Sequence, residues 1–132
     1  MKENIIVTKS FDFVIQVVET YKILVKDKKE FVLSKQFLES GTSIGANVSE
    51  AVNAPSKVDF KYKLTIALKE CNETEYWIKL MYKTEYLEKQ KALQLGEKCI
   101  ELNKILRKII KTCNERIINA KKIISWLRCH YK

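Results

Sequence analysis

Apolar residues in this chain recur at intervals of three and four in four separate stretches. Phe11, Val14, Val18, Tyr21 and Val25 form the first stripe, widened by Phe13, Val17 and Leu24, and predict a helix over about residues 8–26. The charged run Lys26-Asp27-Lys28-Lys29 reads as a solvated turn. Leu33, Phe37, Gly41, Ile44, Val48 and Val52 predict a second helix over about 30–53, which Pro55 ends because it lacks a donor and disfavours helix at Ala54. Ser56 followed by Asp59 resembles a capping box with the shorter acid. It opens a third helix over about 56–86, with Phe60, Leu64, Ala67, Cys71, Ile78 and Met81 on one face and Tyr62, Ile66 and Leu80 on a flank. Ala92, Leu95, Cys99, Leu102, Leu106, Ile109, Cys113 and Ile117 repeat without a slip and predict a fourth helix over about 89–120. Residues 121–132 form a basic tail containing Ile123, Ile124, Trp126 and Leu127, which extends or follows that helix.

With 132 residues, one proline and three glycines, the chain has little material for turns and the length of one domain, residues 1–132. Four amphipathic segments on short connections predict an all-α fold, an antiparallel up-and-down four-helix bundle. The apolar faces of the third and fourth segments are too broad for one partner each, so a homo-oligomer is expected.

Charge changes the picture more than composition does. The net charge is +9, yet residues 98–132 carry 10 basic and 2 acidic side chains while residues 1–97 are almost balanced. A one-sided field of this kind attracts polyanions. Lys104, Arg107, Lys108, Lys111, Arg116, Lys121, Lys122 and Arg128 are therefore the candidate phosphate contacts, and Trp126 and Tyr131 the candidate base-stacking residues, with a solvated helix face as the plain alternative.

Other chemistry is poorly supported. Cys71, Cys99, Cys113 and Cys129 lack metal-knuckle or redox spacing and read as structural thiols. Lys9, Asp12 and Glu19 interrupt the N-terminal apolar run, which excludes a signal peptide or membrane span, so a cytoplasmic protein with no membrane partner is expected. The stretch SIGANVSEAVNA and the residues before it place Gly41 and Gly45 on one helical face, each at a cost of about 1 kcal/mol against alanine. They are expected to admit a bulky neighbour from the third helix, Tyr76 or Trp77. A phosphate-cradling loop would need a Lys-Ser/Thr pair after the last glycine, where Ala46-Asn47 stand. Asn47 with Glu50, and Glu70 with Glu73, are expected to lock an interhelical seam. A di-iron site would need two Glu-x-x-His elements, and the one histidine is His130. No base accompanies Ser40, Thr42 or Ser43, so neither an enzyme nor a cofactor or metal is expected.

The run SGTSIGANVSEA followed by SKVDFKYKLTIALKECNETEYWIKL resembles the 23S rRNA intervening-sequence protein family. The elements that carry the resemblance are Ser43-Ile44, Asn47-Val48, Glu50, Asp59-Phe60, Ile66-Ala67, Glu70 and Glu73, and it extends over about residues 4–115. The resemblance implies a cytoplasmic four-helix bundle that assembles into homopentameric rings. Some members are encoded within ribosomal RNA gene inserts, and related ones accompany retroelement reverse transcriptases. Two departures stand out. Glu39 replaces a common arginine, and Thr84-Glu85-Tyr86 replaces a turn containing glycine. The resulting expectation is a non-enzymatic, oligomeric protein that binds RNA or DNA through its basic surface. The alternatives are an adaptor for a protein such as a reverse transcriptase, or a bare scaffold.

Overall fold

The computed structural model describes residues 2–130 and contains four helices: α1 (Lys2–Lys26), α2 (Leu33–Val52), α3 (Lys57–Lys83) and α4 (Lys89–His130). Among the described residues there is no strand. Each helix packs against its neighbours in the order α1 on α2, α2 on α3, α3 on α4 and, more sparsely, α4 on α1. The core is the four-helix bundle's shared interior, built on fully buried Phe13, Phe37, Leu64, Met81, Leu95 and Leu106.

The buried face of α1 is rotated from the one the apolar stripe suggests. Phe11 is 64% exposed, and the core positions are Ile6, Ser10, Phe13, Val17, Thr20 and Leu24. Ser10 and Thr20 hide this face from a count of apolar residues. Their hydroxyls are satisfied inside the helix, donating to the carbonyls of Val7 (3.2 Å) and Gln16 (2.7 Å), so burying them leaves no orphan donor.

The two small residues of α2 face α1 rather than α3. A Cβ built on Gly41 would stand 2.8 and 2.9 Å from the two γ-methyls of Val17, and one on Gly45 would stand 2.7 Å from Val14. Neither Tyr76 nor Trp77 fills this space. Tyr76 is 58% exposed and meets Trp77 edge-on at 5.1 Å. The α2–α3 contact is instead held by a buried hydroxyl pair, Ser40 Oγ and Thr74 Oγ1, 2.9 Å apart.

None of the three turns contains glycine, and the first and last are held by side-chain or backbone hydrogen bonds. Before α2, the buried Glu30 carboxylate accepts from the N–H groups of Val32 (3.0 Å), Leu33 (2.8 Å) and Ser34 (2.7 Å). It thereby satisfies the orphan donors that a cap must satisfy. Burial pushes the Glu30 carboxyl up, but these donors together outweigh it and hold it below its ordinary value of 4.5. After α3, Glu85 takes the left-handed conformation (φ 70°) in the position where the helix-terminating glycine commonly sits. The N–H of Tyr86 then bonds the Met81 carbonyl (2.8 Å) and that of Glu85 the Tyr82 carbonyl (3.1 Å), which closes the helix end. Ser56 caps α3, accepting from the Asp59 N–H at 3.1 Å.

The largest departure from the expected elements is the tail, which continues α4 through His130. At about 1.5 Å per residue α4 is roughly 63 Å long, twice the roughly 30 Å of α2. Its last buried residue is Ile109, and residues 118–130 are exposed throughout, so its C-terminal end overhangs the bundle by about 20 Å.

Gly41→Ala should lower unfolding stability by about 1–2 kcal/mol in urea titration, because the clash with Val17 exceeds the gain in helix propensity. An unchanged or raised midpoint would show that α1 yields at no cost. Glu30 has a depressed folded-state pKa, so its contribution is present above about 4.5 and is lost as pH falls through the lower folded value. Glu30→Gln should therefore cost about 1 kcal/mol near neutral pH and make the loss of stability on acidification shallower than in the parent.

Candidate nucleic-acid interface

The middle of α4 is a rigid platform because neighbours hold it on three sides. Leu102, Leu106 and Ile109 are buried in the core. Lys9 of α1 pairs with Glu101 at 2.6 Å, and Asn103 Nδ2 donates to Asn72 Oδ1 of α3 at 2.6 Å. The Lys9 ammonium holds the Glu101 carboxyl below its usual range, so this acid, just before Lys104, stays ionised and already has a counter-charge.

From this platform Lys104, Arg107, Lys108 and Lys111 project on the side away from the core, and all are exposed. Arg116, Lys121, Lys122 and Arg128 follow on the overhang and are exposed as well. None of these eight cations forms an ion pair among the described residues, whose ion pairs are Lys9–Glu101, Lys63–Glu50 and Lys79–Glu75. The charge therefore faces solvent without internal compensation. The eight do not converge on one pocket. They lie along α4, with Arg107 and Arg116 to either side of the line through Lys104, Lys108 and Lys111 that helical geometry sets. Tyr131 and Lys132 lie outside the described residues.

Sequence reasoning missed one cation. Lys57, at the start of α3, shares a cleft of about 210 Å³ with Arg116, Phe60 and Cys113 where α4 leaves the bundle. Nothing local marks it, since the two cations are brought together only by the packing of α3 on α4.

The seam residues divide. Glu50 reaches across from α2 to Lys63 of α3 at 2.7 Å and raises the lysine's pKa through that hydrogen bond. Asn47 does not reach across, because its amide donates to the Ser43 carbonyl (2.8 Å) and hydroxyl (3.0 Å) of its own helix. Glu70 and Glu73 are half-buried on α3. Burial first, and the Glu73 charge second, push the Glu70 carboxyl up, while Glu73 accepts from Trp77 Nε1 at 3.5 Å. Gly41 and Gly45 belong to the α1–α2 contact described above.

Among the described residues no group of three or more His, Cys, Asp and Glu is placed to hold a metal ion, and no helix is long and apolar enough to cross a membrane. Cys71 Sγ lies 3.2 Å from the Cys99 carbonyl in the core. Hydrogen bonding with Cys71, and then burial, push the Cys99 thiol far up, so it stays protonated.

Residues 2–108 match the family model of the 23S rRNA-intervening sequence protein. No curated protein matches this chain. A solved structure from Bacteroides thetaiotaomicron VPI-5482, described as a protein of unknown function from the S23 ribosomal protein family, is 51% identical and superposes with a TM-score of 0.83. The match covers 84% of this chain and 99% of that one. Because the family model spans most of the sequence and the structural relative shares both fold and half its residues, the chain belongs to the 23S rRNA-intervening sequence protein family.

Proposed function

We propose that this protein is a non-enzymatic, homo-oligomeric RNA-associated protein that holds nucleic-acid phosphates along the outward face of α4. The observation that carries the reading is the run of eight exposed cations with no ion-pair partner among the described residues. Uncompensated surface lysines and arginines gain by releasing counterions from a polyanion, which gives affinity with little sequence preference. Family membership supports an RNA context, and unpaired thiols fit the cytoplasm.

The reading includes self-association of antiparallel up-and-down bundles into a ring. Opposed registers support the antiparallel order: Gly41 and Gly45 meet Val17 and Val14, while Ser40 and Glu50 meet Thr74 and Lys63. Self-association is supported by apolar surface with no use inside one subunit. Tyr82, Leu93, Gly96 and Ile100 line a groove of about 400 Å³ on the outer side of α3 and α4, floored by the buried Ile78, and Leu93 and Ile100 are about half exposed. Gly96 lies mid-helix with nothing within 4 Å of where its Cβ would stand, so its cost of about 1 kcal/mol has no reason within the subunit. A second subunit approaching this face would supply one.

Light scattering on the purified protein should return a mass several times 15.5 kDa, and Gly96→Leu should shift it towards the monomer. A monomeric parent at micromolar concentration overturns the oligomer. Binding to a generic RNA should weaken steeply with added salt, by about 0.7 in log–log slope per contact for single strands. Reversing Arg107, Lys108 and Lys111 to glutamate should lower affinity and flatten that slope while leaving helical content unchanged. If the parent does not bind at about 50 mM salt, the surface serves a protein partner instead, and the adaptor reading replaces this one.

A further inference from the structure

The overhang of α4 lies beyond the part of the chain that the family model matches. The family match stops at residue 108, and the Bacteroides relative, matched over 99% of its length, covers 84% of this chain. Core burial does not explain the added length, since Ile118, Ile123, Ile124 and Trp126 are all at least half exposed. A contact outside the subunit would give those exposed apolar side chains a use.

The arrangement of its side chains narrows the choice. Stepping by three and four along α4, Lys104, Lys108, Lys111, Lys122 and Trp126 fall on one face, a line about 33 Å long. At the end of that line the Trp126 indole is stacked on the His130 ring, with centroids 4.3 Å apart and planes 21° apart. The His130 Nδ1–H donates to the Trp126 carbonyl at 2.8 Å, which fixes the imidazole beside the indole. The result is a flat aromatic surface, 53% exposed at Trp126, in line with four cations. A helix that lies on a lipid surface sorts its apolar and cationic residues to separate faces. Ile117, Ala120, Ile124 and Leu127 do continue the apolar stripe of α4 on the opposite side, but Trp126, the residue a lipid-facing helix would bury, stands with Ile118 among the lysines, and that mixing of aromatic with cation is the pattern nucleic acids use.

Resting on the phosphate-binding reading above, we infer that the α4 overhang is a binding site for single-stranded nucleic acid, with phosphates tracking the lysine line and an unpaired base stacking on the Trp126–His130 platform. A duplex can use the lysines but not the platform, because its base faces are already stacked on one another. Glu115 is the one acid on this line and forms no ion pair among the described residues, so it limits the affinity of the track.

The test is fluorescence anisotropy at about 50 mM salt with two labelled probes, an oligouridylate of ~12 nucleotides and an RNA duplex of the same length, on the full chain. The parent should bind the single strand several-fold more tightly than the duplex. Trp126→Ala should weaken the single strand roughly tenfold and leave the duplex unchanged, while Trp126→Phe keeps most of the affinity. Glu115→Lys should strengthen both, as a shared phosphate track requires. If both probes bind the parent equally and Trp126→Ala changes neither, the phosphate track stands and the stacking platform is overturned. If neither probe binds, the phosphate reading itself fails and takes this inference with it. Binding to phosphatidylglycerol vesicles that Trp126→Ala abolishes, with no loss on the single strand, would reassign the overhang to a membrane surface.

Discussion

The close approach of α1 and α2 is the contact on which the rest of the bundle depends. Gly41 and Gly45 leave no room even for a methyl group beside Val17 and Val14, so the two helices meet in one register and at one separation. That register aims Phe13, Val17, Phe37 and Ile44 into a common interior and turns Ser40 towards Thr74. α3 is then positioned against α2, and α4 against α3, by filling what remains.

The connections are economical in a way that composition does not suggest. Three glycines all lie inside helices, so the turns must be made by residues with a Cβ. Glu85 accepts the left-handed conformation at a cost of about 1–2 kcal/mol, which the hydrogen bonds of the helix terminus offset. Glu30 does the opposite kind of work, using a buried charge to satisfy three backbone donors at once. A buried carboxylate is costly by itself, and here the helix end it caps supplies the compensating field.

The proposed function follows from what the bundle does not use. The core consumes one face of α4 as far as Ile109, and of the two acids in residues 98–132 Glu101 is taken by Lys9 while Glu115 stays among the cations. The remaining cations are left to solvent on a helix held firmly at its middle and projecting at its end. On the proposed reading such a surface makes repeated weak phosphate contacts, which an oligomer would multiply through avidity.

The four helices, the stop at Pro55, the Ser56 cap and the concentration of positive charge in α4 are all legible in the sequence, because periodicity, capping and charge are properties of neighbouring residues. The buried face of α1 was not, since Ser10 and Thr20 count as polar until their hydroxyls are seen to bond within the helix. Nor was the partner of Gly41 and Gly45. Small residues announce a close approach, but which helix approaches depends on how all four faces are shared out in three dimensions. The same holds for Lys57 beside Arg116, and for the point at which α4 leaves the bundle. A local pattern can say that a residue will face a neighbour, whereas only the packed chain decides which neighbour is there.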